Sequence, residues 1–384
     1  MIDTIAVAGY RSLRNLVFEL GRLTVVTGAN GTGKSGLYRS LRLLAECALG
    51  GAVGALAREG GLASTLWAGP EQGTRHLDGP ALGTTRTVPV ALRLGFAGND
   101  DLGYAVDLGL PQEGGTAFTH DPEIKAEHIF SGPQPRPAAV LAERRGPAVR
   151  VRDDTDGWAN VASLRPFDSM LAEVVDPAGA PEIVTMRERL RAWRFYDHLR
   201  TDAAAPARQV QIGTRTTALA HDGADLAAAL ATARDLGRGG EIDEAVELAF
   251  PGAQVRVRAD GGRFGLELSR PGLLRPLTAA ELSDGTLRYL LWVAALLSPR
   301  PPELVVLNEP ETSLHPELLP ALAALMRRAA QDSQLVVVTH SEPLAAALGT
   351  DGVTQHELEL DAGETLVAGR EGPLDQPPWH WPKR

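Results

Sequence analysis

The chain is poor in several things that would otherwise broaden its possible functions. It has one cysteine, Cys47, so no internal disulfide can form, and a reducing, cytosolic setting is the expectation. No apolar run approaches the ~18–20 residues of a membrane-spanning helix. The best stretch, Tyr289–Leu297, is far too short, so no membrane partner is expected. The opening Met1-Ile2-Asp3-Thr4 lacks a basic segment and a long apolar core, which argues against a secretory signal. Internal repeats and long heptad segments are absent, and with them an extended coiled coil. There is no CxxC or HExxH, and the group His120, Asp121, Glu123, Glu127 and His128 fits no metal-ligand spacing. No serine or cysteine sits in a nucleophile elbow. Lysine is scarce: Lys34, Lys125 and Lys383 stand alone against a background of arginine. The net charge of −10 argues against a surface coated with phosphate contacts but leaves room for a local basic groove.

Against this background the run Gly28-Ala29-Asn30-Gly31-Thr32-Gly33-Lys34-Ser35 stands out. It fits G-x-x-x-x-G-K-[ST], a phosphate-binding loop. Leu23–Thr27 before it reads as a buried strand, and Gly36–Leu49 after it has apolar residues at helical spacing (Leu37, Leu41, Leu44, Ala48). Strand, glycine loop and helix are the context that gives the pattern a mechanism. Glycines let backbone N–H groups close around phosphate oxygens, and the helix N-terminus adds partial positive charge. Lys34 would reach the β- and γ-phosphates and Ser35 would hold Mg²⁺.

Upstream of the loop strand, Ile2–Ala8 and Leu16–Leu20 read as strands flanking Gly9-Tyr10-Arg11-Ser12-Leu13. Gly/Pro/Thr-rich stretches at 69–89, 111–122 and 131–138 read as loops, with a strand pair at Val88–Phe96 and Leu102–Leu110 between them. Helices are predicted over Pro181–Arg200 and Gly223–Leu236, and a hairpin over Val255–Leu268. The final third alternates clearly: an apolar helix at Leu282–Leu297, a buried strand at Glu303–Leu307, a helix at Pro316–Ala330 and a second buried strand at Leu335–Thr339. This is the pattern of an α/β fold with a parallel sheet core. The residues after 372 read as a loose tail packed through Trp379 and Trp381.

Leu304–Leu307 runs into Asn308-Glu309-Pro310-Glu311. A strand ending beside a phosphate loop can deliver a metal-side ligand and then a carboxylate for an attacking water. Val336-Val337-Val338 repeats the arrangement and ends in Thr339-His340-Ser341, placing a histidine where it can reach a γ-phosphate. In Leu282-Ser283-Asp284-Gly285-Thr286, Ser283 reads as a helix N-cap and Gly285 permits close backbone approach, which together make an anion site.

Taken together, these motifs resemble the ABC-type ATPases of the RecF/SMC/Rad50 group, and most closely the RecF-like AAA_21 predicted ATPases. The resemblance rests on residues 9–13, 28–35, 282–286, 307–316 and 339–341, at both ends of the chain. It implies a P-loop head with antiparallel N-terminal strands and an inserted helical or mixed lobe. The ATP-binding lobe would comprise 1–160 and 275–384, with 161–274 inserted and leading to Ser283. It also implies two heads closing on two ATP molecules. Gly28–Ser35 of one subunit would bind ATP, and Ser283 and Gly285 of the other would cap its γ-phosphate. Glu309 would be the catalytic base and His340 the γ-phosphate switch. Thr312–His315 would cross the dimer interface, Arg11 would contact the nucleotide, and Ser35 and Asn308 would face Mg²⁺. DNA and an effector protein are the further partners the resemblance raises, in DNA repair or anti-phage defence.

Three departures from the family pattern stand out. Asn308 replaces the metal-side aspartate, so it can accept a hydrogen bond from a metal-bound water but brings no charge. Slow hydrolysis is the expectation. Asp284 replaces a glycine of the signature and adds negative charge near the γ-phosphate. No glutamine matches the Q-loop, and Gly95 falls near that place. Two other readings stay open: a non-hydrolysing ATP-gated switch and the soluble ATPase subunit of a transporter. Separately, Arg187, Arg191, Arg194 and His198 would share one face of a 181–200 helix and offer nucleic acid a basic stripe.

Overall fold

The structure, a computed structural model, describes every residue except 70–89, 100, 112–116, 154–156, 198, 371 and 373–374. Most of the predicted 69–89 loop, part of 111–122, and His198 therefore lie outside the described residues. The chain divides into two compact units. The first comprises Met1–Gly21, Val26–Trp193 and His356–Arg384, the second Arg22–Val25 and Arg194–Gln355.

The first unit is built on an eight-stranded sheet. Its strands are β1 (Thr4–Tyr10) and β2 (Leu13–Glu19), then, beyond the loop strand β3 (Leu23–Gly28), β4 (Leu92–Ala97), β5 (Leu102–Gly109), β6 (Glu123–Ser131), β7 (Val140–Arg145), β8 (Ala148–Arg152) and β9 (Trp158–Ser163). They run in the order β2-β1-β4-β5-β6-β7-β8-β9, every pair antiparallel. The strand pair read from sequence at 88–110 is thus the centre of a much larger sheet. The helix Lys34–Ala48 buries Leu37, Leu41, Leu44 and Ala48, the four apolar positions that predicted it. Each buried leucine contributes roughly 1.5–3 kcal/mol.

Glu127 on β6 and Arg144 on β7 are both fully buried and paired at 3.3 Å. Glu127 also accepts from Tyr104 and Ser169 hydroxyls and from the Met170 N–H. Arg144 donates to the carbonyls of Gly146, Arg165 and Asp168. This network pins the 165–170 segment to the sheet. The predicted tail is likewise held. Trp379 and Trp381 pack with Trp158 against Ala97, Ala105, Phe130 and Val140, and Arg384 forms a fork on Asp107.

The second unit carries the parallel strands Arg194–Tyr196, Leu304–Asn308 and Gln334–Val338 in that order. The Leu335 N–H then donates to Arg22 O, joining Arg22–Val25 to their edge. Leu304–Leu307 and Gln334–Val338 are buried throughout, as a sheet covered on both faces requires. The helices Asp284–Leu296 and Leu319–Ala329 belong to the same core. A small antiparallel sheet pairs Arg263–Ser269 with Gln254–Asp260, Gln211–Ile212 and Leu277–Thr278. The helix predicted over 223–236 spans Leu226–Ala233, and after a kink at Leu236-Gly237 a second helix spans Gly239–Ala249.

The predicted 181–200 helix stops at Ala192. Aromatic β-propensity wins after Trp193, and Arg194–Tyr196 forms a parallel strand on Val305–Leu307. The basic stripe is lost with it. Arg187 is buried and donates to Val174 O, while Arg194 lies on the strand.

Candidate nucleotide site

The residues singled out by sequence fall in both units, and each group has its own local geometry.

In the first unit, β3 ends at Gly28 and the helix begins at Lys34, leaving the glycine loop between them. Gly28, Gly31 and Gly33 have φ of 142°, 86° and 99°, the left-handed region that glycine alone enters without strain. Two of them are also tightly enclosed. A Cβ on Gly28 would lie 2.3 Å from Leu358 O, and one on Gly33 would lie 2.3 Å from Thr365 Oγ1 and 2.9 Å from Ser12 Oγ. Lys34 is buried, and its Nζ donates to Gly28 O at 2.6 Å and Ala29 O at 2.7 Å, so the loop closes around the ammonium. The Thr32 hydroxyl donates to Ala29 O. The helix start has no side-chain cap, and Ser35 is exposed there. Uncapped N–H groups beside an ammonium are what an anionic phosphate needs.

Two residues that sequence reasoning left without a role brace this loop. The Thr365 hydroxyl bonds to Thr32 O at 2.9 Å and Ser12 Oγ at 2.8 Å, and the Thr365 N–H donates to Ser12 O. Ser12 was visible in the Tyr10-Arg11-Ser12 turn, but Thr365 carried no local signal. Arg11, with φ of 50°, donates to Glu59 Oε2 at 2.6 Å, and the Tyr10 hydroxyl donates to the same oxygen. Burial, and then the bond to Glu59, raises the Tyr10 phenol above its ordinary value. Gly95, considered for the Q-loop, is buried in mid β4, where a Cβ would meet the Trp379 ring at 2.6 Å.

In the second unit, Leu304–Asn308 delivers Asn308 and Glu309 at its C-terminal end. Asn308 Oδ1 is buried and has no hydrogen-bond partner among the described residues. Glu309 adopts φ of 48°, a strained value for a non-glycine residue, and its N–H donates to Val338 O. The carboxylate stays partly open, 3.5 Å from His340 Nδ1. Glu311 is the more buried neighbour. Its Oε1 accepts from the Thr339 hydroxyl at 2.6 Å and the His340 N–H at 3.3 Å, and lies 3.4 Å from His340 Nδ1. The structure thus brings Asn308, Glu309 and His340 together and adds Glu311, which was legible in the sequence but given no role. Thr312, Ser313 and His315 follow on the surface.

Ser283 caps the helix Asp284–Leu296 by accepting from the Thr286 N–H, and its hydroxyl also meets Thr286 Oγ1 at 2.9 Å. Gly285 approaches the acidic turn, since a Cβ there would lie 3.3 Å from Ser313 O. One helical stretch on, Trp292 Nε1 donates to Pro310 O at 3.0 Å. The negative charge expected from Asp284 is met by Arg208, whose Nη2 lies 2.6 Å from Asp284 Oδ1. The preceding turn is boxed by Thr278 and Glu281, with Glu281 lowered to about 2, mainly by its hydrogen bond to Arg275.

The AAA_21 family model, described as "AAA domain, putative AbiEii toxin, Type IV TA system", matches residues 151–347, just over half of the chain. The chain belongs to this family. The AAA_21 match takes in the signature turn, the acidic strand and the His340 strand. The solved structures agree on the fold. The chain is similar to the SMC head domain from Thermotoga maritima at 12% identity and a TM-score of 0.50, covering 97% of this chain and 99% of that one. It is similar to an SMC head bound to the C-terminal winged-helix domain of ScpA at 12% identity and a TM-score of 0.51, covering 96% and 97%. No curated protein matches the chain. This AAA_21 protein therefore has the α/β fold of the SMC/RecF/Rad50-like ATPase heads, and its family is one of P-loop ATPases. Among the described residues no helix is long and apolar enough to cross a membrane.

Proposed function

We propose that this AAA_21 protein binds ATP and hydrolyses it slowly, as an ATP-sandwiched homodimer acting in DNA maintenance or anti-phage defence. The observation that carries the reading is the glycine loop itself. Three left-handed glycines, a buried lysine and an uncapped helix start form a site with no evident use except a polyphosphate. In this reading residues 1–160 and 275–384 supply the ATP-binding lobe, and 161–274 the insertion leading to Ser283. Lys34 neutralises phosphate charge and the loop N–H groups orient it. Arg11 reaches the nucleotide only by leaving Glu59. Glu309 accepts a proton from the attacking water. His340 senses the γ-phosphate. Ser283 and Gly285 of a second copy close over the same phosphate.

The residues present suit magnesium carried by the nucleotide rather than a preformed metal cage. No cluster of three or more acidic, histidine or cysteine ligands exists among the described residues. The orphaned Asn308 Oδ1 is an acceptor suited to a metal-bound water, and Ser35 offers an exposed hydroxyl. Bound magnesium would supply charge neutralisation on the β- and γ-phosphates. Asn308 also favours a second reading, an ATP-gated switch that does not hydrolyse, because a neutral amide holds magnesium less firmly than a carboxylate.

ATP turnover of wild type and Glu309→Gln separates the two. The enzyme reading expects slow wild-type turnover and a loss of at least about a hundredfold in the variant, with ATP still bound. Bound ATP with no turnover in either protein leaves the switch. Sedimentation tests the assembly: Glu309→Gln with ATP should form a dimer that Ser283→Arg abolishes, and a single monomeric species at saturating ATP sinks the sandwich.

A further inference from the structure

Close to the start of the signature helix, Arg208 has only 7% of its side chain accessible. It sits in the short turn Pro206–Arg208 and uses every part of its guanidinium. Nε donates to Thr201 O and Asp202 O, which anchors the base of the side chain. Nη1 donates to Ala279 O, Ala280 O and Leu282 O at 3.1, 3.3 and 2.7 Å. Nη2 donates to Asp284 Oδ1 at 2.6 Å. One planar group thus holds three carbonyls of the turn before Ser283 and the carboxylate just after it. Lysine, with a single ammonium, could not span that set.

Asp284 creates the need. A carboxylate in the first turn is favourable for the helix but repels any phosphate brought to the same N-terminus. Its side chain is 60% exposed, so solvent alone would leave it free to swing toward an incoming anion. Arg208 draws it back to the side of the turn where Ala279 and Leu282 lie. Ser283 Oγ is held independently through Thr286, whose hydroxyl accepts from Arg270 Nη2.

We propose that Arg208 is a positioning residue that sequesters Asp284, so that the Ser283–Gly285 helix start can face the γ-phosphate of ATP bound by a second copy. This rests on the sandwich reading above. Arg208 and Asp284 then act as a unit: this chain keeps an acidic signature by carrying its own counter-charge.

The test is a cycle in the Glu309→Gln background, reading ATP-dependent dimerisation by sedimentation and ATP binding by the monomer separately. Arg208→Ala should weaken the ATP-dependent dimer by about tenfold or more, the effect of one uncompensated charge near a phosphate at intermediate dielectric. Arg208→Lys should recover only part of it. Asp284→Asn alone should have little effect, and Arg208→Ala with Asp284→Asn should regain most of the dimer. Thermal melts of each variant identify any that fails to fold, and the double variant is read against Asp284→Asn. Unchanged dimerisation in Arg208→Ala overturns the proposal, as does a double variant no better than Arg208→Ala, which would leave Arg208 a structural clamp only. Absence of any ATP-dependent dimer in the parent, with ATP still bound, refutes the sandwich reading and this proposal together.

Discussion

Gly33→Ala is the sharpest probe of the phosphate loop, because the structure fixes what the added methyl would meet. At φ of 99° an alanine pays a backbone penalty of about 1–2 kcal/mol. Its Cβ would lie 2.3 Å from Thr365 Oγ1, closer than any real contact, so Thr365 must move. Moving it breaks the bonds to Thr32 O and Ser12 Oγ, at about 1 kcal/mol each. The total is about 3–4 kcal/mol, and if ATP binding requires the native loop the affinity should fall by several hundredfold. Thr365→Ala removes the same two bonds without the backbone penalty and should lose about 2 kcal/mol. The double variant should then cost little more than Gly33→Ala alone, a coupling of about 2 kcal/mol in the cycle. The assay is a titration of each protein with a fluorescent ATP analogue, with Lys34→Ala as the non-binding reference. Strict additivity of the two substitutions would refute the argument that Thr365 enforces the glycine.

Three further outcomes follow from other parts of the molecule. Asn308→Asp should lower the magnesium needed for half-maximal turnover, by about tenfold given one added metal-facing charge, and an unchanged magnesium titration would mean residue 308 is not at the metal. Arg144→Met, which strands the fully buried Glu127, should cost about 3–5 kcal/mol in thermal or urea unfolding, and Arg144→Met with Glu127→Leu should cost less than the single change. His128 is lowered from 6.5 to about 4, by burial first, with Glu143 and Asp107 opposing and Arg145 assisting. Because the unfolded chain takes up this proton first, stability should be full above pH 6.5 and fall toward pH 4, by about 3 kcal/mol in all. His128→Phe should flatten that part of the pH–stability curve measured by thermal melts.

The motifs were legible because each couples local backbone chemistry to a strong pattern. Gly28, Gly33 and Lys34 announce a loop, and Leu304–Leu307 and Leu335–Val338 announce strands too apolar to be exposed. What the sequence hid depends on distant partners. Thr365 braces Ser12 across 353 positions, and Arg208 meets Asp284 across 76, so neither has a local signature. The central sheet was hidden for another reason. The strands from β6 to β9 carry Lys125, Glu127, His128, Glu143, Arg144 and Arg150, charges that blur the alternation of a half-buried strand until their pairing is seen. The 181–200 helix failed at Trp193-Arg194-Phe195-Tyr196, where a place beside Leu304–Asn308 overrides helical spacing.

The bond from Trp292 to Pro310 has a practical corollary. Of the six tryptophans, Trp292 is the one that falls within the second unit. Its indole is buried, and its N–H ends on the turn that carries Glu309 and Glu311. A protein with the other five tryptophans replaced by phenylalanine would therefore have a built-in optical gauge of that turn. Loss or lengthening of the Pro310 bond would change its emission as nucleotide is added, in the same cuvette and on the same timescale as turnover.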